Sequence, residues 1–248
     1  TWLLAALLAA FLVYLMYEQT AGKILPVLPR KRLCDYSVTG SVYEDISTAL
    51  TRGVRFLEVH VYSDEQDNPV VATSPQTQGR DFADNNVSFE QVCIDIVNDA
   101  FPSKDPLILS IVPHTDKSVT LNKVAEHLET IPRAHLVAAT HITDAPLDTF
   151  ANKLLIVSGG VRGTALESLV NLSWDDDDLR RLSYQQALHP RDPDELKRFN
   201  RDFISLVAPD PTLHTITVNP KDPLAYGCQW NLFDRAGSPG FVEKLSRP

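Results

Sequence analysis

The residues best placed for acid–base or metal chemistry are a glutamate and a histidine two positions apart. Glu58 and His60 lie in the apolar run FLEVHVY, which predicts a buried β-strand over residues 56–62. Side chains two apart on a strand face the same side, so these two can hydrogen-bond each other if they face the interior. We interpret them as a buried structural pair rather than as a new catalytic or metal-binding pair.

The other groups capable of chemistry are dispersed along the chain. Five of them fall on separate segments typical of protein surfaces, so we expect no metal site built from them: His114, Asp116, His127, His135 and His141. The glycine-rich turn at residues 159–163 could hold a phosphate at a helix N-terminus, but it lacks the spacing of a nucleotide-binding fingerprint. The acidic run at residues 174–178 indicates a solvated loop, because calcium ligands in EF-hands alternate instead of following one another.

Predicted strands and helices alternate beyond Leu33, a pattern typical of a parallel sheet with helical crossovers. The predicted strands are residues 35–39, 56–62, 70–73, 107–112, 154–157 and 213–218. The predicted helices are residues 41–51, opened by a capping box from Ser41 to Glu44, and then 88–100, 120–130 and 194–205.

Composition sets further bounds. A chain of 248 residues with 44% hydrophobic content is long enough for one large α/β barrel domain. A formal net charge of −9 argues against nucleic acid as a partner. The three cysteines lack metal-ligand spacing, so neither a zinc site nor a disulfide framework is expected.

The N-terminus predicts a membrane anchor over residues 1–22. Residues 2–17 are uncharged and almost wholly apolar, and as a helix they would reach ~24 Å, slightly less than the ~30 Å hydrocarbon core of a bilayer. Aromatic residues stand where the interfaces would lie. The anchor residues in this prediction are Trp2, Leu8, Phe11, Tyr14 and Tyr17. A signal peptide and a buried core helix are the alternatives.

A basic, proline-containing linker over residues 23–32 follows the apolar run. It ends in Arg30, Lys31 and Arg32. Positive flanks stay on the cytoplasmic or matrix side of a membrane, so a single-pass anchor would place the following domain on that side. Whether the membrane is that of an organelle or the internal membrane of a virion stays open.

Four segments, in order, resemble the phosphoinositide-specific phospholipase C family. They read ALTRGVRFLEVHVY at residues 49–62, NPVVATSPQT at 68–77, FEQVCIDIVNDAF at 89–101 and PLILSI at 106–111. GCQWNLF at residues 227–233 resembles the family's last barrel strand. The resemblance implies a TIM-type (β/α)8 barrel over residues 33–248, with room for distortion, and an acidic linker between its halves at about residues 171–195.

The residues that carry the family's chemistry are mostly replaced in this chain. The resemblance puts Val42 where the family has a catalytic histidine and Tyr43 where it has a calcium-binding asparagine. The turn at residues 72–77, which includes Thr73, lacks the second histidine. Glu58 retains one calcium acid, His60 replaces another, and a third falls near Val112. One carboxylate is too few for calcium, which takes ~6–8 oxygens, so no cofactor is expected. Because both histidines are replaced, no catalytic residues are expected either.

Three functions fit this sequence. The first is a membrane-anchored, non-catalytic pseudoenzyme that serves as a structural subunit or adaptor of a larger assembly, bound to membrane lipid and to neighbouring subunits. The second is a lipid-headgroup binding module, and the third is a divergent phosphoric diester hydrolase. The family's phosphate-gripping lysines after strand 154–157, and its arginine near Leu206, have no equivalent here, which favours the first. We expect the barrel mouth to hold no metal and to be filled by side chains or covered.

Overall fold

A nearly closed barrel of eight parallel strands dominates the described part of the chain. The computed structural model describes residues 31–74, 85–138, 140–209, 221–234 and 239–243. The barrel strands are β1 (Tyr36–Val42), β2 (Phe56–Ser63), β5 (Leu107–Pro113), β6 (Leu154–Ser158), β7 (Leu172–Ser173), β8 (Leu179–Ser183), β9 (Ile204–Ala208) and β10 (Trp230–Asp234). Around the barrel they follow the order β7-β6-β5-β2-β1-β10-β9-β8.

The barrel stays open between β7 and β8, which are the two ends of the strand order. Three further strands attach to its sides: β3 (Pro69–Ala72) pairs antiparallel with β2, β4 (Asn86–Ser88) with β3, and β11 (Phe241–Glu243) with β1. The predicted α/β barrel is therefore confirmed, with one seam unpaired. Its mouth is the end where the parallel strands terminate, and its base is the end where they begin.

Helices cover the outside of the barrel. They are α1 (Ile46–Thr51), α2 (Phe89–Asp99), α3 (Ser118–Leu128), α4 (Tyr184–Leu188), α5 (Pro193–Phe199) and α6 (Lys221–Leu224). The predicted cap of α2 is confirmed, because the Ser88 side chain accepts a hydrogen bond from the Gln91 backbone N–H. The apolar face of α3 also matches its prediction, since Leu121, Val124 and Leu128 are buried.

Two apolar layers hold the fold together, one inside the barrel and one between the strands and the helices. Side chains alternate between them along each strand. On β2, Phe56 faces the interior cluster, whereas Leu57 and Val59 join the outer one. Gly40 on β1 permits a close approach inside the barrel, because a Cβ atom there would lie 2.5 Å from the Phe56 carbonyl oxygen. Bulky residues such as Trp230 then fill the interior.

The first predicted helix begins later than the capping pattern indicates. Ser41 and Val42 belong to β1 and pair with Leu57 and Glu58 of β2, so the predicted helix start at residue 41 is wrong. Pairing on both sides of a central barrel strand outweighs the local capping preference. The helix begins at Ile46, after Asp45, whose side chain accepts from the Thr48 backbone N–H.

The second half of the barrel differs most from the prediction. The predicted linker at residues 171–195 contains β7, β8 and α4, and β8 is a full barrel strand that pairs with β9. The predicted helix at residues 194–205 ends at Phe199, because the apolar run from Ile204 to Ala208 pairs with β8 and β10 as strand β9. Strands of so few residues are hard to predict, because an alternation of apolar and polar residues cannot be recognised over such a short segment.

Several predictions lie outside the described residues. They concern the anchor residues Trp2, Leu8, Phe11, Tyr14 and Tyr17, Arg30 of the linker, and the strand at residues 213–218. Within the described ranges, none of the helices is long and apolar enough to cross a bilayer.

Candidate functional site at the barrel mouth

The carboxylate of Glu58 lies at the floor of the barrel mouth. Its side chain is only 1% exposed. Ser110 on β5 donates a hydrogen bond to Oε2 at 2.9 Å, and His60 lies 3.2 Å from Oε1. The predicted Glu58–His60 pair is thus confirmed. β2 places both side chains on the interior face toward its C-terminal end.

The main partner of Glu58 is Arg181 on β8. The guanidinium donates two parallel hydrogen bonds, from Nη1 to Oε2 at 2.5 Å and from Nη2 to Oε1 at 2.8 Å. Burial alone would raise the pKa of the Glu58 carboxyl, but the Arg181 charge reverses this and holds that pKa well below its usual range. Glu58 is therefore ionised, and Arg181 neutralises it inside the barrel.

Arg181 was missed by the sequence prediction because it falls in the segment assigned to a linker. Its guanidinium also lies 5.1 Å from the ring of Trp174, which fits over Gly159, where a Cβ atom would clash with the indole. One signal was available: Leu179, Arg181 and Ser183 share one face of the run LRRLS.

A chain of two imidazoles leads from Glu58 to the solvent. His60 Nδ1 lies 2.8 Å from His114 Nε2. Because ionised Glu58 only accepts, His60 donates through Nε2, and a neutral His60 then accepts at Nδ1 from His114. The His114 ring stacks on Tyr62 with ring centroids 4.4 Å apart. His114, which the sequence places on a segment typical of a protein surface, therefore belongs to this site, because the end of β5 lies beside that of β2.

The environment of His114 disfavours its protonated form. Loss of hydration, together with the neighbouring His60 and Arg181 and against the opposing effect of Glu58, lowers the pKa of His114 to about 4. At neutral pH the His114 ring is therefore uncharged.

This depressed pKa makes stability depend on pH. Between pH 6.5 and about 4, unfolded His114 binds a proton that the folded state excludes, so the free energy of unfolding should fall as the pH drops through this window. Glu58, whose pKa is also lowered, contributes its own loss of stability only below about pH 4.5. Urea unfolding at several pH values measures this dependence. Between pH 6.5 and about 4, the free energy of unfolding should change less steeply with pH in His114→Gln than in the wild type. An unchanged slope would contradict the assignment.

A polar cleft opens beside the filled floor. Its volume is about 1110 Å³. Its lining includes Ser63, Asn86, His114, Asp116, Trp174 and Arg181. The expectation that side chains fill the mouth therefore holds for its floor, where Glu58 and Arg181 pair. The cleft beside that floor is open.

The other residues singled out at the mouth surround this site without adding a charge to its floor. Val42 is buried at the end of β1, Thr73 follows β3, and Val112 lines the cleft. Tyr43 has a φ of 58° and places its ring 5.0 Å from that of His60. Left-handed backbone at a non-glycine residue is unusual, and here it turns the Tyr43 ring over the imidazole.

The residues present do not fit a calcium ion, which the phospholipase resemblance associates with these positions. Calcium takes ~6–8 oxygen ligands. Glu58 lies at the floor, and both of its oxygens already accept hydrogen bonds from Arg181. In the described part of the chain, no three His, Cys, Asp or Glu side chains are arranged to hold a metal ion.

The glycine-rich turn after β6 binds acidic side chains of the chain itself. The Gly160 N–H donates to Asp175 at 2.6 Å, and the Gly163 N–H donates to Glu167 at 2.7 Å. Arg162 donates to Asp176 at 3.0 Å. The acidic run is therefore partly engaged in contacts with this turn, and these two backbone donors already have anionic partners.

An eight-stranded parallel barrel whose polar groups gather at the C-terminal ends of the strands belongs to the TIM-type class of α/β barrels. The sequence profile of the phosphatidylinositol-specific phospholipase C X domain matches residues 33–156. The chain therefore belongs to this X-domain family.

Solved structures with the same fold include several phospholipases C. PLC21 from S. officinalis is 15% identical with a TM-score of 0.66, over 83% of this chain and 34% of PLC21. The calcium-dependent phosphoinositol-specific enzyme from Pseudomonas sp. is 13% identical with a TM-score of 0.57, over 88% and 95%. The calcium-dependent enzyme from Streptomyces antibioticus is 10% identical with a TM-score of 0.55, over 87% and 100%.

The chain spans about a third of the length of PLC21. At these identities the likeness shows the fold alone. No curated protein sequence matches the chain significantly.

Proposed function

We propose that this protein is a membrane-anchored, non-catalytic relative of phospholipase C that serves as a structural subunit or adaptor of a larger assembly. One observation carries the proposal. Glu58, which the resemblance places at a calcium ligand, is buried and paired in bidentate fashion with Arg181 of the same chain. An internal guanidinium thus supplies the positive charge that a metal ion would bring.

The imidazole of His114 is a poor substitute for the missing acid–base groups. General acid–base catalysis is most effective when the catalytic pKa lies near the working pH. The pKa of His114 is lowered to about 4, which makes it a weak base at neutral pH. Glu58 is held ionised by Arg181 and cannot act as an acid. Val42 replaces one of the family's histidines and the turn that contains Thr73 lacks the other, and neither a valine nor a threonine side chain acts as a general acid or base near neutral pH.

The structural part of the proposal rests on the N-terminal sequence. Residues 2–17 would anchor the chain as a single pass, and the basic residues that follow would hold the barrel on the cytoplasmic or matrix side. A barrel without its chemistry can still present a surface to neighbouring proteins. An organelle membrane complex and a virion with an internal membrane both suit this role.

Extraction from the native membrane tests this role. We expect the full chain to resist high salt and alkali, to be released by mild detergent, and to crosslink to neighbouring subunits before release. The matched control is Leu8→Lys, which places a charge in the middle of the apolar run and should free the chain from the membrane. A wild-type chain that washes off with salt, or that crosslinks to nothing, would contradict the proposal.

The cleft favours a second candidate, a lipid-headgroup binding module. Its volume of about 1110 Å³ suits a small polar ligand, and Arg181 and Trp174 reach its wall. This function predicts that the full chain binds phosphatidylinositol-containing vesicles more tightly than plain phosphatidylcholine vesicles. A difference that survives high salt would favour this module over the adaptor, because salt screens exposed charges.

A further inference from the structure

The point where the chain enters the barrel is fixed by one arginine at the base. Arg32 lies just before β1, at the end of the barrel where the parallel strands begin. Its Nη1 donates to Asp144 at 3.0 Å and to Asp202 at 3.1 Å, and its Nη2 donates to the Arg201 carbonyl at 2.7 Å. Asp35 also accepts from this side chain. The N-terminal segment therefore joins the domain at the base.

The cleft lies at the opposite end of the barrel. Its residues Ser63, Pro113 and Arg181 stand at or near the C-terminal ends of β2, β5 and β8. One strand of eight residues separates the two ends by ~26 Å. A flexible coil of thirteen residues, the number at positions 18–30, typically spans ~20 Å. A tether of this length favours a base that faces the bilayer.

The charge around the mouth acts in the same direction. Among the described residues, four acids line the cleft: Asp64, Glu65, Asp116 and Asp175. The two described cations of the lining are engaged, Lys117 with Asp67 and Arg181 with Glu58. A surface of this charge is repelled by an anionic leaflet, whereas Lys23 and Arg30, before β1, are attracted to it.

We infer that the cleft opens away from the bilayer that holds the N-terminal segment, so that its occupant is a water-soluble polar molecule and not a lipid of the same membrane. The hydroxyl, carboxylate and imidazole groups of the lining suit such a ligand. This inference rests on the proposed membrane anchor. It goes beyond that proposal because it states that the ligand comes from the aqueous solution and not from the membrane.

Fluorescence quenching on vesicles tests the orientation. The full chain is labelled at one introduced cysteine, at the base in Lys104→Cys or at the mouth in Glu65→Cys, and both native side chains are exposed. The three native cysteines are buried, so the label goes to the introduced site. The vesicles are phosphatidylcholine with a small fraction of headgroup-nitroxide lipid, and nitroxide-free vesicles give the reference. A second pair, Glu129→Cys at the base and Asp116→Cys at the mouth, provides an independent comparison.

The expected result is severalfold stronger quenching at both base positions than at both mouth positions. Equal quenching, or stronger quenching at the mouth, on chains that float with the vesicles overturns the orientation and leaves the anchor in place. Chains that fail to float overturn the anchor and, with it, the orientation. The two failures are therefore distinguished by flotation of the same samples.

Discussion

Replacement of Arg181 by methionine should lower the free energy of unfolding by about 3–5 kcal/mol, the cost of leaving a buried charge without its partner. The Glu58 side chain is 1% exposed, and the remaining partners, Ser110 and His60, are weaker than a bidentate guanidinium. Methionine keeps much of the volume of the arginine stem, so the loss reports the charge more than the packing. Urea unfolding of the full chain measures it.

The neighbouring residue provides a matched control. Arg180 forms an equally short pair with Glu195, but both side chains are more exposed, at 38% and 42%. Arg180→Met should therefore cost at most about 1 kcal/mol. The double variant Glu58→Gln with Arg181→Met should recover most of the lost stability, because the neutral amide retains hydrogen bonds without an unpaired charge. If Arg181→Met were no more destabilising than Arg180→Met, the internal ion pair would not organise the mouth.

Local sequence signals were sufficient for the first half of the barrel. The apolar run at residues 56–62 and the capped helix that follows Ser88 were both predictable, because each pattern is long enough to be read from its own residues. The Glu58–His60 contact followed from strand geometry alone.

The second half could not be predicted in the same way. β8 has five residues, and its pairing with β9 is set by barrel closure, not by a periodic pattern. Arg181 meets Glu58 across 123 positions of sequence; the alternation in LRRLS indicates a strand there but does not indicate its partner. The His60–His114 contact has the same origin, since adjacent parallel strands β2 and β5 bring the two rings together. The contacts at the mouth are therefore determined by the order of the strands in the barrel, whereas single strands and helices are determined by local sequence.

At Ser41 the local preference for a helix start conflicts with strand pairing in the barrel. Ser41 and Glu44 have the spacing of a helix start, yet Ser41 pairs with both Leu57 and Phe233 in the barrel. Burial and pairing of a central strand outweigh a cap, which contributes ~1 kcal/mol. The same extension of β1 brings Val42 to the end of the barrel interior, beside Glu58.

The most direct test of the account is hydrolysis of phosphatidylinositol by the purified full chain, with calcium and with a chelator. A general acid or base contributes ~10²–10⁴-fold, so absence of both predicts a rate lower by about 10⁴–10⁸ than an intact site would give, before the loss of the metal is counted. We predict product formation equal to background in both conditions, and the same for Glu58→Gln. Calcium-dependent turnover that Glu58→Gln abolishes would contradict the account, because Glu58 would then bind a metal ion in place of Arg181.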